Sequence, residues 1–247
     1  MQLDYKQRDN KMYLISRGDM ETISRSLLKE YAPTNLERPT PLNTLDFLQN
    51  YLGLMVKRRY IGGLGSGILG LIVMDDIAEI PSFDDMFRQV ILEETFGTVL
   101  ISPQLMNPDS LPRRRYTEVH EGCHYILHRE YYNELAKQRQ QGTAASCIAC
   151  RKIELYKQKF HTDQDWMEWQ ADTLAACILM PKDVFYNFAR MAIRKSGISK
   201  GYLSKGAYAD KRQAYPIITE IAETFQVSYK AAQIRMIHLG LIRDLSF

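Results

Sequence analysis

Two histidines and a glutamate lie close together in the segment HEGCH at positions 120–124. On an α-helix, His120 and His124 lie about one turn apart, so both imidazoles can bind one metal ion. Glu121 lies on their flank and is placed to accept a proton from a water molecule held at that ion. This spacing is typical of zinc-dependent peptide hydrolysis. The alternative is a buried helix whose histidines only form hydrogen bonds.

A catalytic zinc site needs a third protein ligand and one open position. His128 lies ~12 Å along the helix axis from His120 and is a poor candidate. Glu168 is a better one, and Asp172, one turn later, could accept a hydrogen bond from a ligand histidine. Taken alone, Glu168 could equally be a solvated charge. The HEGCH motif upstream favours the ligand interpretation of Glu168. We therefore expect one Zn²⁺ per chain on His120, His124 and Glu168.

Two helices must position these side chains. The first is expected from the cap candidates Asp109 and Ser110 to about residue 129, and the second spans about residues 165–180 and stops at Pro181. Gly122 is unfavourable within a helix, which suggests that it allows close packing. Each helix has an apolar stripe for anchoring: Tyr116, Val119, Cys123, Ile126 and Leu127 on the first, and Met167, Ala171, Leu174, Ala175 and Ile178 on the second.

The remaining elements are predicted more coarsely. Residues 22–31 and 42–54 have helical periodicity, whereas residues 68–76 and 97–102 are typical of strands. The strand at 97–102 could pair with an extended substrate, because sheet edges accept added strands. Residues 130–163 are polar and aperiodic, which indicates an insertion. The motif G-x-G-x-x-G at 65–70 precedes a strand and not a helix, which argues against nucleotide binding.

Three segments resemble the ImmA/IrrE family of zinc metallopeptidases in their order along the chain: RRRYTEVHEGCHYILH, EWQADTLAACILMP and FQVSYKAAQIRMIHLGLI. The resemblance covers about residues 60–245. It implies a thermolysin-like minimal fold, Zn²⁺ on His120, His124 and Glu168, and Glu121 as general base. It also implies transcriptional repressors as substrates, in mobile-element induction or stress response. The chain departs from the family in having Gly122 followed by Cys123 between Glu121 and His124, and Asp172 where the family often has Asn.

The expected fold class is α+β: a mainly helical, zincin-like metallopeptidase core with a small mixed or antiparallel sheet and a C-terminal pair of helices like a helix-turn-helix. We predict three segments: an N-terminal helical segment (1–58), the metallopeptidase core (59–190) and a C-terminal helical extension (191–247). The terminal pair is expected at residues 217–225 and 229–239. Packing or protein docking is favoured over DNA binding there, although Lys230, Arg235, His238 and Arg243 could contact phosphates.

Other residues carry weaker signals. Cys147 and Cys150 form C-x-x-C, only half of a structural zinc site, so incidental thiols are favoured over a redox pair or a shared site. His161 is expected at the surface. Tyr131 and Tyr132 could stabilise an oxyanion, but nothing in the sequence orients them. The consecutive arginines 113–115 oppose the dipole at the start of the first helix, which suggests acidic neighbours or an acidic substrate.

The composition indicates which partners and which cellular compartment fit this chain. The 247 residues are 45% hydrophobic and 25% charged, and the net charge of +3 is too small to argue for nucleic acid by itself. No signal peptide or membrane span is visible, and four cysteines suggest a reducing cytoplasm.

The leading hypothesis is an intracellular zinc endopeptidase of narrow specificity that cleaves a repressor. The alternative is a non-catalytic regulator that binds a repressor or DNA and keeps the zinc site as structure.

Overall fold

The structure is a computed structural model that describes residues 3–62, 66–84, 86–138, 147–151, 162–204 and 208–243. Its α-helices, in chain order, are α1 (Arg17–Tyr31), α2 (Thr44–Asp46), α3 (Leu111–Gln138), α4 (Asp163–Leu179), α5 (Lys182–Lys195), α6 (Tyr208–Phe225) and α7 (Tyr229–His238). Its strands are β1 (Met55–Arg58), β2 (Ile68–Val73), β3 (Ile77–Phe83), β4 (Gln89–Thr95), β5 (Thr98–Ile101), β6 (Cys147–Arg151), β7 (Leu203–Ser204) and β8 (Ile242–Arg243). The predicted α+β class, mainly helical with a small mixed sheet, is confirmed.

The chain divides into two compact units. The first comprises Met1–Met20 and Asn43–Ala175, and the second comprises Glu21–Leu42 and Ala176–Phe247. The predicted division at residues 58 and 190 stays a prediction, as does the likeness to the thermolysin fold. No helix in the described ranges has the length and apolar character needed to span a membrane.

The first unit contains a four-stranded mixed sheet in the order β1-β5-β2-β6. Strand β5 is parallel to β1 and antiparallel to β2, which is also antiparallel to β6. The predicted strands at 68–76 and 97–102 correspond to β2 and β5. However, the expectation that the second strand accepts a substrate is wrong, because β5 has a partner on each side and all four of its residues are buried.

The helix that carries the HEGCH segment is longer than predicted. Helix α3 continues nine residues beyond 129, so the first part of the predicted insertion is helical. Its polar extension is held by contacts that periodicity does not reveal: Gln7 donates a hydrogen bond to Glu130 over 2.7 Å, and Tyr132 is buried. Strand β6 lies in the same predicted insertion.

The N-terminal quarter is less helical than predicted. Helix α1 begins at Arg17 because Ser16 and Asp19 form a reciprocal capping box, with Asp19 accepting from the backbone of Ser16 and Ser16 Oγ accepting from that of Asp19. Residues 42–54 form α2 followed by a π-helical turn, Phe47–Tyr51, and not one regular helix. Strand β1, the β3–β4 hairpin and α5 were absent from the sequence-based prediction.

The second unit includes the predicted C-terminal helix pair. Helix α6 begins at Tyr208 instead of about residue 217 and continues through Pro216. The turn before α7 has Gln226 at a φ of 51° and Ser228 as N-cap, accepting from the backbone of Ala231. Arg235, one of the residues that could contact phosphate in the less favoured DNA-binding alternative, is buried: it donates to both carboxylate oxygens of Glu21 and to the backbone carbonyl of Met180.

Candidate metal centre

Helix α3 places both predicted histidines in the interior of the first unit. His120 and His124 have no exposed surface, and their Nε2 atoms lie 2.9 Å apart. They border the predicted apolar stripe, of which Val119, Cys123 and Leu127 are fully buried. As predicted, the i, i+4 spacing on α3 places the two imidazoles close together.

Gly122 allows α3 to approach the π-helical turn Phe47–Tyr51. A Cβ at this glycine would lie 2.7 Å from Leu48 Cδ2 and 3.1 Å from Leu52 Cδ1. Leu48 is fully buried and has little room to move. The predicted packing role of Gly122 is therefore confirmed.

Helix α4 brings Glu168 to the two histidines. The helix begins with a capping box, in which Thr162 and Asp165 each accept from the backbone of the other. The Glu168 carboxylate lies 3.3 Å from His120 Nε2 and 3.6 Å from His124 Nε2. Burial would raise the pKa of Glu168, but the two histidines outweigh it and hold that pKa well below its usual range.

These three side chains fit a metal ion. One ligand atom from each lies within 4.8 Å of the others. The two facing Nε2 atoms can share only one proton between them, so without a proton their lone pairs converge on one point. Two imidazole nitrogens and a carboxylate oxygen form a donor set suited to Zn²⁺, with a fourth position left open. Glu168 is 32% exposed, so the site opens to solvent on the α4 side.

Asp172 lies behind His120, where the sequence predicts it. Its Oδ1 is 2.9 Å from His120 Nδ1, the ring nitrogen that faces away from Glu168. The hydroxyl of Tyr116 lies 3.1 Å from the same Oδ1 and 3.2 Å from the backbone carbonyl of Asp172, and its one proton can be donated to either oxygen. The sequence assigned Tyr116 only to the apolar stripe, so this polar contact was missed.

The carboxylate of Glu121 lies against strand β2. The carboxylate is fully buried, and neither oxygen forms a hydrogen bond of normal geometry with any described group. Burial raises the pKa of the Glu121 carboxyl to about 8, although His120 acts in the lowering direction. Such a carboxyl is suited to accept and release a proton near neutral pH.

Gly70 of β2 makes room for this carboxylate. A Cβ at Gly70 would lie 2.5 Å from Glu121 Oε1 and 2.5 Å from Thr117 Cγ2, closer than real contacts allow. In the sequence, Gly70 stands out only as part of the G-x-G-x-x-G motif, and its contact with Glu121 was not predicted. The available signal was a glycine inside an apolar strand, which often marks a close approach.

His128 lies outside the group formed by His120, His124 and Glu168, as expected from its distance along the helix, but it contacts one member of that group. Its Nδ1 lies 3.0 Å from His124 Nδ1, and its Nε2 lies 2.9 Å from Gln170 Oε1. Gln170 in turn donates from Nε2 to the backbone carbonyl of Tyr13 over 2.8 Å. Burial lowers the pKa of His128 to about 3. Gln170 and Tyr13 were not predicted to take part.

A family model described as the IrrE N-terminal-like domain of the M78 peptidases matches residues 104–236, more than half of the chain. The chain belongs to this M78 peptidase family. The predicted resemblance to ImmA/IrrE proteins is thereby confirmed. No curated protein sequence matches the chain significantly. The match includes α3 and α4, and hence both histidines, Glu121, Glu168 and Asp172, whereas Gly70 lies outside it.

The other predicted positions lie away from this group or outside the described residues. His161 is outside them, as are the side chains of Cys147 and Cys150, whose backbone lies in β6. Tyr131 and Tyr132 pack against each other with ring centroids 5.1 Å apart, and their role as oxyanion donors stays a prediction.

The arginines at the start of α3 have an acidic neighbour on their own helix. Arg114 Nε lies 3.7 Å from a carboxylate oxygen of Glu118, one turn later. The second oxygen of Glu118 accepts a hydrogen bond from the hydroxyl of Thr44 over 2.5 Å. Burial raises the pKa of Glu118, while Thr44 and the neighbouring arginines act in the lowering direction.

Proposed function

We propose that this M78 family member is a zinc-dependent endopeptidase. One observation carries the proposal: the nitrogen and oxygen donors of His120, His124 and Glu168 converge within 4.8 Å, and the fully buried carboxylate of Glu121 is near enough for His120 and Glu168 to act on its pKa. A structural metal site needs no proton acceptor at its side. The buried carboxyl of Glu121, with its raised pKa, therefore favours catalysis over the alternative of a non-catalytic regulator.

His120, His124 and Glu168 would hold one Zn²⁺. Bound there, Zn²⁺ would supply Lewis acidity, which polarises the scissile carbonyl and acidifies water. Asp172 would accept the Nδ1 proton of His120, which keeps Nε2 of that histidine unprotonated and fixes the ring orientation. The two buried histidines would exclude water from one side of the site, and the exposed edge of Glu168 leaves the other side open to a peptide.

Glu121 moves the proton in this proposal. One carboxylate oxygen accepts a proton from the water molecule whose oxygen bonds to the scissile carbonyl carbon. The protonated carboxyl then gives that proton to the amide nitrogen as the C–N bond breaks. A carboxyl pKa raised by burial suits both steps, because the group must gain and lose the proton in each cycle.

The family relationship implies a protein substrate. The finer proposal, that the substrate is a transcriptional repressor and that its cleavage switches on stress or mobile-element genes, rests on the resemblance to ImmA/IrrE proteins. Narrow specificity and a cytoplasmic location belong to the same proposal. DNA binding by α6 and α7 receives less support, because Arg235 is already paired with Glu21.

Metal analysis combined with a cleavage assay tests this function. The purified protein should contain about one zinc per chain. Incubated with repressors encoded near its gene, it should produce discrete fragments, and a chelator should stop cleavage.

Two matched variants make the test specific. Glu121→Gln should lower cleavage by at least ~10²-fold and keep the metal. Glu118→Gln is the control, because Glu118 is also a buried carboxyl on α3 but is held by Thr44. Equal cleavage by Glu121→Gln and the wild type would overturn the role of Glu121 as the proton acceptor, and a protein that takes up no zinc would overturn the zinc-peptidase proposal.

A further inference from the structure

A row of buried polar groups extends from His124 away from the metal centre. It runs from His124 to His128, then to Gln170, and ends at the backbone carbonyl of Tyr13. The three successive distances are 3.0, 2.9 and 2.8 Å, each within hydrogen-bonding range. All three side chains have no exposed surface, so water cannot take the place of a missing partner.

The fixed end of this row sets the orientation of Gln170. A backbone carbonyl can only accept hydrogen bonds, so the amide NH₂ of Gln170 must face Tyr13. The amide oxygen of Gln170 therefore faces His128. That oxygen also only accepts, so Nε2 of His128 must carry a proton.

The proton between the two histidines follows from this. The Nδ1 atoms of His128 and His124 lie 3.0 Å apart and can share only one proton. A doubly protonated His128 would be a fully buried charge without an ion pair among the described residues, which is costly. A neutral His128 with its proton on Nε2 has a lone pair on Nδ1. The shared proton therefore belongs to Nδ1 of His124.

We propose that Tyr13, Gln170 and His128 form a relay of ordered hydrogen bonds that fixes His124 in its Nδ1–H tautomer. This tautomer leaves Nε2 of His124 unprotonated, and Nε2 is the atom that faces His120 and Glu168. His128 and Gln170 are thus positioning residues that act through His124. The inference rests on the proposed metal site and is independent of whether the protein cleaves peptides.

The relay can be tested in the metal-free protein. With ¹⁵N-labelled histidine, the ring nitrogens of His124 should show a protonated Nδ1 and an unprotonated Nε2. Gln170→Met, of similar volume, removes the acceptor that orders His128 and should give a mixture of His124 tautomers. A wild-type His124 with its proton on Nε2 would overturn the relay.

Zinc affinity, measured by competition with a chelating dye, gives a second readout. His128→Leu and Gln170→Met should weaken zinc binding about 10- to 100-fold. His128→Asn should restore most of the affinity, because its Oδ1 can accept from His124 in place of the ring nitrogen. Equal zinc affinity in His128→Leu and His128→Asn would overturn the relay.

Leu127→Met is the matched control, because Leu127 is buried beside His128 but has no polar atom. It should keep both the tautomer and the affinity. A loss of affinity in Leu127→Met as large as in Gln170→Met would mean that packing explains the effect, and would overturn the relay.

If His128→Leu does not fold, the wild-type spectrum and Gln170→Met still test the relay. A protein with the expected tautomer and zinc affinity but without cleavage would contradict only the peptidase proposal.

Discussion

Gly70 of β2 lies against the carboxylate of Glu121 on α3, so close that the sheet and the helix touch at the proposed general base. An added Cβ would lie 2.5 Å from Glu121 Oε1. The backbone N–H of Ile72, two residues along the same strand, also acts on this carboxylate and lowers its pKa against the larger effect of burial. Strand β2 therefore helps to determine where the carboxylate lies.

Gly70→Ala should impair cleavage while leaving zinc binding intact. The methyl group clashes with both the Glu121 carboxylate and the β-branched Thr117, so both must shift, and a displacement of about 1 Å can cost ~10²-fold in rate. The free energy of unfolding should fall by about 1–3 kcal/mol from overpacking. Gly18→Ala is the control, since its Cβ would meet only Ser16 Oγ at 3.6 Å. Full cleavage activity in Gly70→Ala would show that the carboxylate position is not critical.

Glu168→Ala should fail in a different way from Glu121→Gln. Glu168 is a proposed ligand, so its removal leaves two histidines and should sharply lower zinc affinity. Because a metal that binds only the folded chain stabilises it by mass action, the zinc-dependent rise in Tm should also be lost. Glu121→Gln should keep both. Zinc titration followed by thermal unfolding measures this, and zinc loss in Glu121→Gln with retention in Glu168→Ala would reverse the assigned roles.

Asp172→Ala should weaken zinc binding by ~10- to 100-fold, because Asp172 orients His120 without reaching the ion. Tyr116→Phe should have a smaller effect, about five-fold, since it removes one hydrogen bond of about 1 kcal/mol to Asp172. Tyr125→Phe is the control on the same helix, where the ring packs against Phe96. Chelator competition gives these affinities, and a Tyr116→Phe loss larger than that of Asp172→Ala would contradict the proposed order of contacts.

The sequence predicts that these side chains come together, because the spacing i, i+4 on a helix is a local property; their role as metal ligands stays a prediction. His120 and His124 converge through helix geometry alone, and Glu168 with Asp172 repeats that spacing on α4. What it cannot predict are contacts between residues far apart along the chain. Gln170 reaches Tyr13 across 157 positions.

The same limit applies to the element boundaries. Helix α3 ends later than its apolar stripe because Glu130 is held by Gln7, 123 positions away. Strand β5 was correctly predicted as a strand, but its central place in the sheet depends on β1, which was not predicted. Periodicity identifies an element and its buried face, whereas neighbours and ends are determined by tertiary contacts.

The buried ion pair of Glu21 and Arg235 should make the stability of the second unit depend on acid pH. Burial would raise the pKa of Glu21, but Arg235 outweighs it, so the pKa is lower in the folded than in the unfolded chain. The unfolded state then binds more protons, and stability rises with pH. This contribution is fully present above the ordinary carboxyl pKa of 4.5 and is lost as pH falls through the lowered folded value.

Glu21→Gln leaves Arg235 buried without its counter-charge, so it should cost about 3–5 kcal/mol at neutral pH. The difference from the wild type should shrink below pH 4.5 in urea unfolding. Glu223→Gln, at an exposed position of α6, should change neither quantity. A Glu21→Gln difference that stays constant from neutral pH to well below this value would show that the pair contributes through packing and not through charge.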